Sequence, residues 1–151
     1  MDLRLWRIGV IVGAGAALGL AWNAFSGRGF ALDKSVFVQA GDEVIDAAEA
    51  KARLDRGAVF LDARPADFFE MSHVPGALPL PEPDFDRAFA GLEPRLHRHF
   101  NLVVYCAGYG CEASHIVARK LREKGIHVAI LGEGWPAWSD AGYPVETGGR
   151  P

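Results

Sequence analysis

The segment Leu102-Val-Val-Tyr-Cys-Ala-Gly-Tyr-Gly-Cys-Glu112 places an apolar run directly before a small-residue turn that contains two cysteines. The apolar run indicates a buried strand over residues 101–105, and a helical pattern begins at Glu112. In such a strand–turn–helix unit, the backbone N–H groups of the turn and of the first helical turn point towards one place. A thiol there loses its proton more easily, because the helix dipole and these N–H groups stabilise the thiolate. The segment therefore predicts that Cys106 is a nucleophile.

Strand-like and helix-like segments alternate on both sides of this unit. A capping box, Asp46-Ala-Ala-Glu49, begins a helix that runs to Arg56. Further strands are predicted at residues 58–62, 76–80 and 127–131, and further helices at 67–71, 84–92, 112–124 and 135–141. Because strands that alternate with helices form parallel sheets, the sequence predicts an α/β fold with a small parallel sheet flanked by helices on both faces.

The N-terminal region contains an uncharged apolar stretch at residues 8–25. As a helix this stretch would span about 27 Å, close to the thickness of the hydrocarbon core of a bilayer. Trp6 and Trp22 lie near its two ends, as interfacial aromatic residues do. These features favour an uncleaved transmembrane helix. The alternative is a signal peptide that is cleaved at the small-x-small pattern of residues 24–26.

Basic residues indicate the orientation of this helix. Arg4 and Arg7 precede the apolar stretch, so the positive-inside rule places the N-terminus in the cytoplasm. We therefore expect a single-pass protein of the cytoplasmic membrane with its folded domain outside the cytoplasm, or in the periplasm if the N-terminal segment is cleaved. The Gly-x-x-x-Gly patterns at residues 9–13 and 15–19 are typical of paired membrane helices, which leaves a homodimer through the anchor as one alternative.

Composition defines the remaining organisation of the chain. Half of the 151 residues are apolar, which is enough for one domain with its own core. We predict an anchor or signal peptide at residues 1–27, a linker and lead-in at 28–42, one α/β domain at 43–147 and a C-terminal tail at 148–151.

Charge and cysteine content argue against two classes of protein. The formal net charge is only -3 and no basic block is present, so nucleic acid is not an expected partner. The two cysteines, Cys106 and Cys111, do not form the paired clusters of a zinc site, and the five histidines are scattered along the chain. No metal site is therefore predicted.

Four motifs identify a family resemblance. They are Phe60-Leu-Asp-Ala-Arg64, His73-Val-Pro-Gly-Ala77, Val103-Val-Tyr-Cys106, and Leu131-Gly-Glu-Gly-Trp-Pro-Ala-Trp138 followed by Gly142-Tyr-Pro144. Their order and spacing resemble those of a single rhodanese domain, and the resemblance extends from about residue 44 to 145.

The resemblance implies a sulfurtransferase without a metal or an organic cofactor. Cys106 would take sulfane sulfur from a small anionic or persulfide donor, such as thiosulfate or polysulfide, and pass the sulfur from its own persulfide to a thiol or to cyanide. Asp62 and Arg64 match a buried scaffold pair, and His73 matches a position that is mainly structural. The loop residues of the implied anion-binding cradle are Ala107, Gly108, Tyr109, Gly110, Cys111 and Glu112.

The loop departs from the pattern Cys-x-x-Gly-x-Arg-Ser that many single-domain members carry. Cys111 stands where Arg is common, and Glu112 replaces the small hydroxyl residue. The loss of a cation and the gain of an acid would weaken the binding of thiosulfate, unless Glu112 points outwards and serves only the helix dipole. The residue six positions after Cys106 is an acid rather than Arg, which argues against the related phosphatases.

Three aromatic residues and the second cysteine leave alternatives open. Tyr109 lies inside the loop and is expected at its mouth, where Trp135 would be a neighbour, whereas Trp138 is expected in the core. Cys111 is a small packing residue, a resolving thiol that attacks the Cys106 persulfide, or the partner of Cys106 in a regulatory or protective disulfide.

These observations leave three functions to distinguish. The first is sulfur transfer through a Cys106 persulfide. The second is a thiol redox or sulfur-sensing role that uses Cys106 and Cys111 together. The third is a non-catalytic rhodanese-like module that binds partners.

Overall fold

A computed structural model describes residues 3–25 and 41–149 of the chain, which divide into two compact units. The first unit contains helix α1, over Leu3–Phe25. Within the two described ranges, no helix combines the length and the apolar character needed to cross a membrane. The predicted anchor at residues 8–25 is thus not supported, and pairing through this helix stays a prediction. Residues 26–40, which hold most of the predicted linker and part of the predicted cleavage site, and residues 150–151 of the tail lie outside the described residues.

Parallel strands form one sheet in the second unit. The strands are β1 (Glu43–Ile45), β2 (Val59–Asp62), β3 (Leu78–Pro79), β4 (Leu102–Tyr105) and β5 (Ala129–Leu131). Their order across the sheet is β1-β5-β4-β2-β3, and each neighbouring pair is parallel. β4 is therefore the central strand, and all of its residues are buried.

Helices cover both faces of this sheet, as the sequence predicted. They are α2 (Ala47–Asp55), α3 (Ala66–Met71), α4 (Phe85–Leu96), α5 (Ala113–Glu123) and α6 (Gly134–Asp140). Apolar residues of α4 and α5 pack on one face together with Leu102 and Val104, whereas α2, α3 and α6 pack on the other together with Val103 and Tyr105. This alternation along β4 follows from the two-residue period of a strand.

Three elements differ from the prediction by more than two residues or were not predicted. β1 was missed, because it has only three residues and Ile45 alone is buried. β3 is limited to residues 78–79, since Pro79 and Pro81 have no N–H for a ladder. α4 continues to Leu96, which is fully buried one turn after Leu92 and so extends the apolar face beyond the predicted end at residue 92.

Candidate active site

Cys106 lies directly after the carboxyl end of the central strand β4. Its side chain is only 3% exposed. Asp62, the last residue of β2, lies opposite Tyr105 in the parallel register. The carboxyl ends of parallel strands form the edge at which α/β proteins bind ligands, so Cys106 occupies the position expected of a functional residue.

The predicted cradle, residues 107–112, forms the connection between β4 and α5. Gly108 has φ +152° and Gly110 has φ +72°, conformations that residues with a Cβ rarely adopt. The Cys111 N–H donates a hydrogen bond of 3.2 Å to the Gly108 carbonyl, which turns the loop back on itself. The exposed members are Ala107, Tyr109, Gly110 and Glu112, and the half-buried members are Gly108 and Cys111.

A disulfide joins Cys106 to Cys111, with 6.3 Å between their Cα atoms. This separation lies within the usual range for a disulfide. The sulfur of Cys106 is thus bonded here, whereas the sequence analysis predicted a thiolate. The structure is therefore an oxidised state of the site, and packing alone does not describe Cys111. Both the resolving and the protective interpretation of Cys111 lead to this same bond.

The first two residues of α6 hold the backbone of Cys106 in place. The Trp135 N–H donates a 2.8 Å hydrogen bond to the Cys106 carbonyl. Gly134 has φ +61°, and a Cβ at this position would lie 2.5 Å from the Cys106 oxygen and 2.8 Å from the Gly108 nitrogen. From sequence, Gly134 is part of a motif of the family resemblance but has no predicted role. The signal that could have identified it is a glycine at the start of a helix.

A buried charged cluster joins the carboxyl ends of β2 and β4. Arg64 donates to both carboxylate oxygens of Asp62, at 2.9 Å from Nε and 2.6 Å from Nη2, and its Nη2 also donates to the Ser72 carbonyl at 2.6 Å. The Tyr105 hydroxyl donates to Asp62 at 2.6 Å. The Arg64 guanidinium lies 4.5 Å from the centre of the Trp135 ring. The cluster thereby connects the residue before Cys106 to the residue that holds its carbonyl.

Burial and the neighbouring charge set the ionisation of this cluster. Burial, and then the charge and hydrogen bond of Asp62, raise the pKa of Tyr105 far above its usual range. Burial lowers the pKa of Arg64, but the hydrogen bonds and charge of Asp62 outweigh this effect and the net shift is upwards. Arg64 is therefore charged at neutral pH, and Tyr105 remains a neutral donor.

His73 lies away from these contacts. It is buried, its Nδ1 is 2.8 Å from the Phe69 carbonyl, and its ring stacks on the Phe69 ring at 3.8 Å between centroids. Its backbone exchanges hydrogen bonds of 2.8 and 2.9 Å with Glu146. The described contacts of His73 join α3 to the C-terminal segment.

The remaining predicted residues lie at the surface or in the core. Glu112 is exposed at the N-cap position of α5, and within residues 41–149 its side chain makes no capping hydrogen bond. Tyr109 is 59% exposed. Trp135 is half-buried, and Trp138 is fully buried with its Nε1–H donating 2.9 Å to the Pro144 carbonyl, which confirms its predicted core position.

Sequence reasoning missed one polar cluster beside the site. The Asp42 carboxylate, almost fully buried, contacts the Nδ1 of His115 at 2.8 Å and also binds Arg122. His115 lies in the first turn of α5, so the cluster joins the lead-in segment to the helix that follows the loop. No sequence motif predicts this cluster, because Asp42 and His115 are 73 positions apart in the chain. In the part of the chain that the structure describes, no group of three or more His, Cys, Asp or Glu residues could hold a metal ion.

The comparisons with protein families and curated proteins identify relatives of this second unit. Residues 46–141 match the family model described as a rhodanese-like domain. The chain is 32% identical to an HTH-type transcriptional regulator of Mycobacterium tuberculosis and 33% identical to the mitochondrial protein HIGH ARSENIC CONTENT 1 of Arabidopsis thaliana. These matches cover 71% and 67% of this chain, and the chain spans 46% and 64% of the lengths of those two proteins.

Solved structures agree with this match. A thiosulfate sulfurtransferase of Pseudomonas aeruginosa superposes with a TM-score of 0.59 at 30% identity, over 72% of this chain and 21% of that chain. The rhodanese-like domain of an Anabaena protein superposes with a TM-score of 0.57 at 31% identity, over 70% of this chain and 80% of that chain.

Gly134→Ala should displace the loop that carries Cys106, because the new Cβ overlaps the Cys106 carbonyl. We expect a loss of stability of about 2–4 kcal/mol, made of the backbone cost and the overlap, and a slower reaction of the reduced Cys106 with alkylating agents. Gly142→Ala is the matched control. It has a similar φ of +69°, and its Cβ would meet no described atom within 4 Å, so it should show only the backbone cost of about 1 kcal/mol. Equal effects of the two substitutions on urea unfolding and on alkylation would contradict the role of Gly134.

Tyr105→Phe should change how stability depends on alkaline pH. The raised pKa of Tyr105 means that its contribution is complete below the pKa of an unfolded tyrosine, about 10, and is lost as the pH rises above that value. The variant should be less stable at pH 7, because the Asp62 hydrogen bond is lost, but its stability should fall less steeply above about pH 10. Tyr109→Phe, on an exposed ring, is the control. Parallel stability curves for Tyr105→Phe and the parent would be inconsistent with this account.

Proposed function

Because this chain belongs to the rhodanese-like domain family, we propose that it is a sulfurtransferase that carries sulfane sulfur as a persulfide on Cys106. One observation carries the proposal: the buried Cys106 lies between the end of the central strand and a glycine loop that leads into α5. The thiosulfate sulfurtransferase of Pseudomonas aeruginosa supports the assignment at the level of the family.

The loop and helix α5 supply the electrostatic environment that the reaction needs. A persulfide anion on Cys106 needs several N–H donors around one sulfur, and small residues at 108 and 110 allow the backbone to approach it closely. The N-terminus of α5 adds a partial positive charge. The backbone of residues 107–112 would thus stabilise first the thiolate and then the persulfide.

The proposed cycle has two displacement steps. In the first step the Cys106 thiolate attacks the outer sulfur of the donor, and the donor's S–S bond breaks with its electron pair leaving on the departing group, which is sulfite when the donor is thiosulfate. In the second step an acceptor thiolate or cyanide attacks the outer sulfur of the persulfide, and the Cys106 thiolate leaves. The disulfide with Cys111 lies outside these two steps and must first be reduced.

Charge at the loop bears on the choice of donor. The loop has no Lys or Arg between residues 106 and 112, and Glu112 places an exposed carboxylate at its end. Two like charges a few Å apart repel by about 1–4 kcal/mol. A dianion such as thiosulfate is therefore disfavoured relative to an organic persulfide with less charge, and we propose the latter as the preferred donor class.

Cys106→Ser should abolish sulfur uptake, because a hydroxyl does not form a persulfide. The reduced parent protein, treated with an organic persulfide, should gain the mass of one sulfur atom on the peptide that contains Cys106, and cyanide should remove this sulfur as thiocyanate. A parent protein that takes up no sulfur would instead favour a binding module without catalysis. Sulfur transfer that persists in Cys106→Ser would refute the assignment.

Glu112→Gln tests the donor preference. Removal of the negative charge should raise kcat/KM for thiosulfate at least about fivefold, the equivalent of about 1 kcal/mol, and leave kcat/KM for an organic persulfide of lower charge within about twofold. The matched control is Glu123→Gln, at the other end of α5. An equal effect of both substitutions on thiosulfate turnover would show that the Glu112 carboxylate does not repel the donor.

A further inference from the structure

We propose that Cys111 is the resolving thiol of a reductive cycle, in which it attacks the Cys106 persulfide, releases hydrosulfide and forms the disulfide seen here, which an external dithiol then reduces at Cys111. This inference rests on the proposed persulfide on Cys106. It assigns a second reacting residue, a product and a class of partner to the same site.

The loop brings the two cysteines together without disturbing the sheet. Cys106 stays on the end of β4, where Trp135 holds its carbonyl, and the Cα atoms of the two cysteines are 6.3 Å apart. The approach of Cys111 to Cys106 depends on the hydrogen bond from the Cys111 N–H to the Gly108 carbonyl, and on the positive φ of Gly108 and Gly110. The geometry that forms the disulfide also brings the Cys111 thiolate to the inner sulfur of a persulfide.

The resolving step balances without an external oxidant. The sulfur of Cys111 bonds to Sγ of Cys106 and gives up its thiol proton, the S–S bond of the persulfide anion breaks, and the outer sulfur leaves with the electron pair and takes up that proton as hydrosulfide. The sulfane sulfur is reduced to sulfide, and the two cysteines supply both electrons by forming their disulfide. Attack on the outer sulfur instead would move the persulfide to Cys111 without any reduction.

Unequal burial of the two sulfur-bearing residues directs the reduction of the disulfide. Cys106 is 3% exposed, whereas Cys111 is half-buried, so an incoming thiolate reaches the sulfur of Cys111 more easily. Attack there makes Cys106 the leaving group, and the proposed stabilisation of its thiolate by the loop and by α5 makes it leave faster. The first product is a mixed disulfide on Cys111.

The surroundings of Cys111 fit a dithiol partner. Tyr109 and Gly110 are exposed beside Cys111, and Glu112 follows it with a carboxylate that repels small anionic monothiols. A dithiol completes the reduction within one encounter. Its second thiol attacks the partner's own sulfur in the mixed disulfide, which releases the Cys111 thiolate and forms a disulfide within the partner. The expected partner is therefore a dithiol of low negative charge, and the net reaction reduces sulfane sulfur to sulfide at the expense of that dithiol.

A single-turnover experiment tests the resolving step. The parent, Cys111→Ser and Cys111→Ala are reduced, freed of reductant and mixed anaerobically with one equivalent of a small organic persulfide, whose transfer of sulfur to Cys106 releases a thiol rather than sulfide. The parent should release sulfide rapidly and end as the Cys106–Cys111 disulfide. Both variants should retain the sulfur on Cys106 and release sulfide at least about tenfold more slowly.

The outcomes separate this inference from the function on which it rests. A persulfide on Cys106 in all three proteins, with equal sulfide release, would overturn the resolving role and leave sulfur transfer intact. A persulfide found on Cys111 in the parent would overturn the proposed reduction in favour of relay between the cysteines. If neither variant takes up sulfur, both proposals are wrong.

A trapping experiment tests the direction of reduction. The oxidised parent is mixed briefly with β-mercaptoethanol, quenched with acid and mapped by peptide mass spectrometry. The adduct should lie on Cys111 in about tenfold excess over Cys106. A majority of adducts on Cys106 would show that the buried sulfur is the one attacked, which would overturn the proposed route for the dithiol.

Discussion

The hydrogen bond from the Trp135 N–H to the Cys106 carbonyl fixes the residue on which the proposed chemistry depends. Gly134 allows the close approach that this bond requires, and Arg64 lies over the Trp135 ring while it holds Asp62. A buried charge that loses its partner costs about 3–5 kcal/mol, so this arrangement strongly resists change. The Cys106 backbone therefore stays in place, although the loop that follows it contains two positive-φ glycines and a disulfide.

Much of the fold was predictable from sequence because its signals are local. The apolar run of residues 102–105 and the amphipathic pattern after Glu112 placed β4 and α5 within one residue at each end. The missed features depend on contacts between distant segments. β1 has one buried residue and pairs with β5, more than eighty positions later, and Asp42 meets His115 across a similar interval. No window of sequence contains such information.

The candidate site likewise combines features with local sequence signals and features that depend on contacts between distant segments. Sequence predicts Cys106 and its loop as the site, but the roles of Gly134 and Trp135 follow only from their contact with the Cys106 backbone. Sequence also left Cys111 open, since a short spacing does not determine whether two side chains meet. The structure joins them, and a loop that lacks the common cation instead carries a second sulfur. This exchange supports the proposed reduction of sulfane sulfur over the binding of a highly charged donor.

The account depends on the claim that the loop and the N-terminus of α5 keep the reduced Cys106 ionised. The most direct measurement is the rate of alkylation of Cys106 by iodoacetamide in the Cys111→Ser variant at about pH 6, where an ordinary thiol is almost wholly protonated. The account predicts that Cys106 reacts faster than the thiol of a model cysteine peptide, although its side chain is nearly buried. A rate equal to or below that of the peptide would contradict it.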